Sequence, residues 1–250
     1  MGSVGITEKP TVVLVHGAWH RSNCWDSVIL QLKEHGYPFK AVDLPSAGGE
    51  LTTTMADDAA HIQETTSALV AAGKEVVIVM HSYGGIPGTE SAKGLLRKDR
   101  EAEQKAGGIV ALVYITAFLL PPGASLAGFL GGMAPWTVVE GDKMTVEGAE
   151  QIFYNDLPDS TKEEYRLKLT HQAKPSFYTP LTYPAYQDAP VAYLLCEQDN
   201  AIPFVAQQAM AGIGGAHVVS HVCNSSHSPM LSAPSKVVEV IRSSVGEVIA

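Results

Sequence analysis

Apolar residues arrive along this chain in short unbroken runs, and helical periodicity fills the gaps between them. Six runs predict strands: Thr11–His16 (TVVLVH), Phe39–Leu44, Glu75–Met80 (EVVIVM), Ile109–Thr116 (IVALVYIT), Val191–Cys196 (VAYLLC) and His217–Val222. Most are apolar on successive rather than alternate residues, as in parallel strands covered on both faces. The intervening patterns predict helices over about 23–35, 54–72, 83–105, 203–211 and 234–248. Thr54 and Ser82 stand where helices open, and Gly36 and Gly73 where they stop. Strand–helix–strand alternation predicts an α/β fold: a doubly wound, mostly parallel sheet of about six strands with right-handed crossovers.

The rhythm breaks between Pro121 and Pro190. Pro-Gly and Gly-Gly turns there are followed by short helical patterns around 146–157 and 161–171, with many aromatic residues. A long insertion between core strands reads as a functional cap more readily than as a plain connection. The expected organisation is a core of residues 1–120 and 190–250 with a helical cap of residues 121–189. Trp19, Phe129, Trp136, Phe153, Tyr154 and Tyr178 are the expected pocket residues. The plainer alternative is a satellite core in which the aromatics pack on one another.

Composition narrows the partners. The 250 residues are 46% hydrophobic and 17% charged, with a formal net charge of −9 and no basic run. That excludes nucleic acid and anionic membrane surfaces and leaves a small molecule as the expected partner. Residues 1–10 lack the basic and apolar regions of a signal peptide. Gly2 fits a myristoylation signal, but Ile6 stands where that signal needs Ser or Thr. No apolar run is long enough to span a bilayer. Cys24, Cys196 and Cys223 are an odd, sparse set and read as reduced thiols. The expected location is cytoplasmic, and the expected state a monomer or homodimer. The Asn224-Ser225-Ser226 sequon reads as chance in such a chain.

The chemistry gathers at strand ends. EVVIVM runs into His81-Ser82-Tyr83-Gly84-Gly85. A serine at a sharp strand-to-helix turn projects its hydroxyl, and the crowded turn needs small residues two positions either side. Gly84 supplies one; Met80 occupies the other. Met80 predicts a more open site beneath the turn or a displaced helix. The alternative is that Ser82 only caps the next helix. His16-Gly17-Ala18-Trp19 follows the first strand, so the N–H groups of Ala18 and Tyr83 are candidates for an oxyanion hole. The fifth strand ends in Cys196-Glu197-Gln198-Asp199, where Asp199 is the better acid and Glu197, still at the strand end, reads as a solvated or helix-capping charge. His227 follows the last strand. His217 and His221 lie on one strand about 13 Å apart, too far to chelate one metal. His16 and His81 read as structural, and His20, His35, His61 and His171 carry no partner signal. The order Ser82, Asp199, His227 is the nucleophile–acid–base order of α/β-hydrolases. No metal or dinucleotide motif is present, and no cofactor is expected.

These pieces resemble the α/β-hydrolase superfamily, and within it the branch of plant methylesterases and hydroxynitrile lyases. The resemblance rests on VVLVHGAWHRSNCWDSVI, VDLP, HSYGG, CEQDNAIP and HSPMLSAP. It implies a serine hydrolase acting on a small, apolar or partly aromatic ester or lactone through an acyl-enzyme. Lyases of that branch carry Lys after the histidine and Thr in the oxyanion loop; Ser228 and Ala18 stand there instead. Two alternatives stay open: a natural-product tailoring enzyme using His227 as acid and base, and a non-catalytic small-molecule receptor.

Overall fold

The computed structural model describes residues 8–249. The reading of the first seven residues as free of leader and lipidation signals lies outside them. Nine strands form in chain order: β1 Thr11–Val15, β2 Phe39–Val42, β3 Glu75–His81, β4 Gly108–Ile115, β5 Thr137–Glu140, β6 Lys143–Val146, β7 Gln172–Ala173, β8 Val191–Cys196 and β9 Val218–Cys223. Six of them make one parallel sheet in the order β2-β1-β3-β4-β8-β9. The continuous apolar runs are explained by cover on both sides. Val13, Val15, Ile78, Met80 and Leu112 face the helix Met55–Ala71 and its neighbours. Val12, Leu14, Val77, Val79 and Val113 face Trp25, Val28, Leu32, Val237 and Ile241 on the opposite helical layer. Each such aliphatic side chain contributes roughly 1.5–3 kcal/mol by leaving water. At the edge, β9 is covered less, and Val219 and Val222 remain exposed.

Sheet order decides where the loops meet. β1 lies between β2 and β3, so the chain reverses direction of travel across the sheet beside β1. Ligand sites in open parallel sheets form at such switch points, outside the carboxyl ends of the strands. Val15 pairs with Met80, which sets the loop after β1 against Ser82. Cys196 pairs with Cys223, which sets the Asp199 loop against the His227 loop. Glu197 N donates to Cys223 O and Gln198 N to Ser225 O, each at 3.0 Å, so these two loops are joined by their backbones.

Three elements differ from the sequence pattern. The helix predicted over 83–105 is broken into Gly85–Ser91 and Arg97–Ala102. Between them Leu96 bridges to Ile109, and Ile109 N donates to Leu95 O at 2.8 Å, so pairing with β4 wins over helical continuation. The last helix stops at Ser243. The stretch 121–189, read as helical, also holds the antiparallel sheet β5-β6-β7. Thr137-Val138-Val139 favours extended backbone through its β-branched side chains. Gly141 then takes φ 62° at the first turn position, as a two-residue hairpin loop with glycine leading requires. Short helices Leu126–Leu130, Ala149–Ile152, Asp159–Leu167 and Pro175–Tyr178 complete the segment. Among the described residues, no helix is long and apolar enough to cross a membrane.

Candidate active site

Ser82 follows β3 in a 3₁₀ turn with φ 51°, in the left-handed region. Such a conformation costs about 1–3 kcal/mol for a side-chain-bearing residue and persists only where its surroundings hold it. The surroundings are tight. A Cβ on Gly84 would come 2.5 Å from His16 O. Met80 is fully buried, and the room it needs comes from the helix above: a Cβ on Gly88 would sit 2.5 Å from Met80 Sδ. The space expected beneath the turn therefore lies six residues past the serine. Ser82 does not cap the following helix; its Oγ lies 3.0 Å from His227 Nε2.

His227 and Asp199 complete a relay. His227 Nδ1 lies 2.8 Å from Asp199 Oδ2. A ring nitrogen facing a carboxylate carries the proton, which leaves Nε2 as the acceptor for the Ser82 hydroxyl. Asp199 is buried and Glu197 exposed. Asp199 Oδ1 accepts from the N–H groups of Ala201 (2.7 Å) and Ile202 (2.8 Å). Its Oδ2 also accepts from Gln207 Nε2 at 3.3 Å and from the Thr116 hydroxyl. With these donors aimed at it, the carboxylate is held in one orientation. Thr116 follows β4 with φ 37°, and a threonine at a strand end carries no signal in the sequence that marks it as a carboxylate's partner. The other side of His227 is fixed too: His227 O lies 2.8 Å from His81 Nε2, and Ser226 N donates to Asp156 Oδ2 at 2.8 Å.

The loop after β1 is equally constrained. Trp19 has φ 63° and is tied at both ends of its peptide unit. Its N–H donates to Gln172 Oε1 at 3.3 Å, its carbonyl accepts from Thr170 N at 2.8 Å, and its indole donates to Met144 O at 3.1 Å. Ala18 O lies 2.8 Å from His20 Nδ1, and the Tyr154 hydroxyl lies 2.9 Å from His20 Nε2. His20, which the sequence left without a partner, thus links this loop to the 121–189 segment. Burial keeps these imidazoles neutral: it lowers His20 to about 3 and His16 to about 4, and pushes His81 well below the usual range. His16 does not face the site. Its Nε2 accepts from Leu44 N at 3.0 Å, and its Nδ1 lies 2.8 Å from Gly17 O.

A cavity opens above the relay, lined by Ala18, Ser82, Tyr83 and His227 on the sheet side. Of the expected pocket residues, Trp19, Phe129, Trp136 and Phe153 line it. Two do not. Tyr154 is buried behind the wall against His20, and Tyr178 is exposed under the Lys174 ammonium. The wall instead gains Phe118, Phe177, Met133, Ile202 and Met210. Ile202, Ala206 and Met210 recur every four residues after the acid, a stripe that could have been read from the sequence. Among the described residues, no Asp, Glu, Lys or Arg side chain lines the cavity. Trp19 is its hub, with ring centroids 5.5 Å from Trp136, 5.9 Å from Phe153 and 5.7 Å from Phe177. Among the described residues, no three His, Cys, Asp or Glu side chains converge as a metal site requires.

Comparison with known proteins agrees with this architecture. The model of the alpha/beta hydrolase family matches residues 12–240. The alpha/beta hydrolase nvfD of Aspergillus novofumigatus is 32% identical over 96% of this chain and 98% of its own. Methylesterase 7 of Arabidopsis thaliana is 25% identical over 90% of this chain and 92% of its own. A pyrethroid hydrolase structure from Sphingobium faniae superposes with a TM-score of 0.73 at 23% identity, covering 95% of this chain and 98% of that one. The chain belongs to the α/β-hydrolase family, on the branch that includes the plant methylesterases.

Proposed function

We propose that this protein is a serine hydrolase of small, neutral, apolar or partly aromatic carboxylic esters or lactones, working through an acyl-enzyme on Ser82. One observation carries the reading: the Ser82–His227–Asp199 relay, at 3.0 and 2.8 Å, opens onto a cavity whose wall, among the described residues, holds no Asp, Glu, Lys or Arg. His227 Nε2 takes the hydroxyl proton as Oγ adds to the ester carbonyl carbon. The carbonyl oxygen, now anionic, is received by the N–H groups of Ala18 and Tyr83. Asp199 stabilises the imidazolium and keeps its proton on Nδ1. The imidazolium then gives the first proton to the departing alkoxide, and an acyl-Ser82 remains. Water, deprotonated by His227, attacks the acyl carbon, and the imidazolium returns that proton to Oγ as the acid leaves and free Ser82 is restored.

The wall sets the substrate. A free carboxylate or ammonium on the bound ester would have to leave water without a counter-charge, which is strongly unfavourable. Residues 121–189 act in this reading as the cap over a core of 1–120 and 190–250. The methylesterase relative named above supports ester cleavage. The tailoring alternative leaned on the enlarged aromatic cap and on Met80; Gly88 accounts for the room that Met80 needs. A pure receptor has no use for an acid held by five donors. Steady-state assays on p-nitrophenyl, methyl and lactone substrates test the proposal. Multiple turnovers by the wild type and none by Ser82→Ala are expected; turnover retained by Ser82→Ala would overturn it.

A further inference from the structure

A second buried carboxylate lies behind the oxyanion loop and takes no part in the relay. Asp58, on the first turn of the helix Met55–Ala71, is fully buried. Its Oδ1 accepts from Ser46 N at 2.9 Å. Its Oδ2 accepts from Ser46 Oγ at 2.5 Å and from the Tyr83 hydroxyl at 2.6 Å. The partners are neutral donors, and Asp57 beside it is of like charge. Burial accordingly pushes the Asp58 carboxyl up to about 6. A lone acid in a core is costly to keep, and its donors lead somewhere specific.

Two arms leave this carboxylate. The first is Tyr83, the residue after the nucleophile, whose ring is also stacked on Phe177 at 5.4 Å. The second runs through Ser46. Because Ser46 gives its only hydroxyl proton to Asp58, its oxygen is left to accept, and Gln172 Nε2 donates to it at 2.7 Å. The same amide nitrogen faces Ser176 Oγ at 2.8 Å, whose own proton goes to Ala173 O at 2.6 Å. Gln172 Oε1 is thereby turned toward Trp19 N–H, 3.3 Å away. A group that can only accept thus fixes the direction of every hydrogen bond along the chain. The ends of the chain are the side chain of Tyr83 and the Ala18–Trp19 peptide, which flank the two N–H groups assigned to the oxyanion.

We propose that Asp58 is a positioning residue for the oxyanion site, holding the Tyr83 and Ala18–Trp19 backbone in register through Tyr83, Ser46 and Gln172. It rests on the hydrolase reading and acts on the tetrahedral state more than on substrate binding. The test uses Asp58→Asn, which keeps the shape but places an NH₂ group against one of the donors, and Tyr83→Phe, which cuts one arm. Turnover of an aryl ester is measured together with inhibition by a trifluoromethyl ketone. That ketone adds the Ser82 oxygen at its carbonyl carbon, sends the hydroxyl proton to His227 and leaves an oxyanion in the same place. Misplacing catalytic groups by about 1 Å costs about 100-fold. Asp58→Asn is expected to lower kcat at least tenfold with KM within twofold, and to weaken the ketone by the same factor. Tyr83→Phe is expected to give part of that loss, and the double variant little more than Asp58→Asn alone. Unchanged kcat and ketone affinity in a folded Asp58→Asn would overturn the proposal. So would a loss confined to KM. If Asp58→Asn does not fold, Tyr83→Phe decides by the same readouts. A wild type without ester turnover overturns the hydrolase reading instead, so the two failures are distinct.

Discussion

Ser82 and Trp136 line the same cavity but reach it by different routes. Ser82 stands at the end of β3, whose last six residues are buried and of which Val76 to Met80 are paired on both sides. Trp136 is half-buried on the segment between β4 and β8, one residue before a four-residue strand. In the proposed hydrolase, the carboxyl ends of the strands supply the reacting groups on rigid supports, and the segment supplies an apolar wall. The two regions are joined by many polar links, among them Gln172 to Trp19 and Ser46, Met144 and Thr170 to Trp19, Tyr154 to His20, and Asp156 to Ser226. A site divided this way can change its substrate through the wall while the chemistry at the strand ends stays in place.

Removing the relay breaks the sheet side of that contrast most severely. His227→Ala is expected to lower kcat by about 10⁴-fold or more with the fold intact, measured by ester turnover and circular dichroism. A smaller loss is expected when the support and not the relay is cut. Thr116→Val and Gln207→Leu each remove one donor to Asp199 and should cost about tenfold in kcat, with KM little changed.

Acid separates the regions by stability. The imidazole of His16, held near 4 in the folded protein against an ordinary 6.5, stays neutral where the unfolded chain takes up a proton. Its contribution is therefore complete above pH 6.5 and is lost as pH falls toward 4, by about 3 kcal/mol. Urea unfolding as a function of pH should show this loss, reduced in His16→Asn. Asp58, pushed up to about 6, works in the opposite sense: between pH 4 and 6 its folded state binds more proton, so it favours stability on the acid side.

Packing under the turn gives a further contrast. Gly88→Ala places a methyl against Met80 and should destabilise by about 1–3 kcal/mol, with Met80→Ala restoring part of the loss in thermal melts. The smallest effect belongs to the wall. Trp136→Ala should alter kcat/KM about tenfold between bulky and small esters while leaving the relay reactive.

Legibility in the sequence follows the same division. The six core strands were readable because a strand covered on both faces must be apolar throughout, and Val191–Cys196 was placed to the residue. That Ser82, Asp199 and His227 meet at one end of the sheet was readable because each follows such a run. Met80 was not, since its compensation lies on the next helix at Gly88. Thr116 and Gln207 were not, because a hydroxyl or amide becomes a carboxylate's partner only through the tertiary fold. The β5–β6 hairpin was hidden by weak, half-exposed strands whose pattern overlaps a helical one. Tyr154 and Tyr178 show why aromatic content alone does not define a pocket: one is spent on His20 and the other faces solvent.

Whether Ser82 is an activated nucleophile is decided by intact-mass analysis after exposure to a fluorophosphonate. A single stoichiometric adduct is expected on wild type, mapped to Ser82, lost in Ser82→Ala and slowed by orders of magnitude in His227→Ala. A folded wild type that stays unlabelled, or a label that persists in Ser82→Ala, would contradict that role.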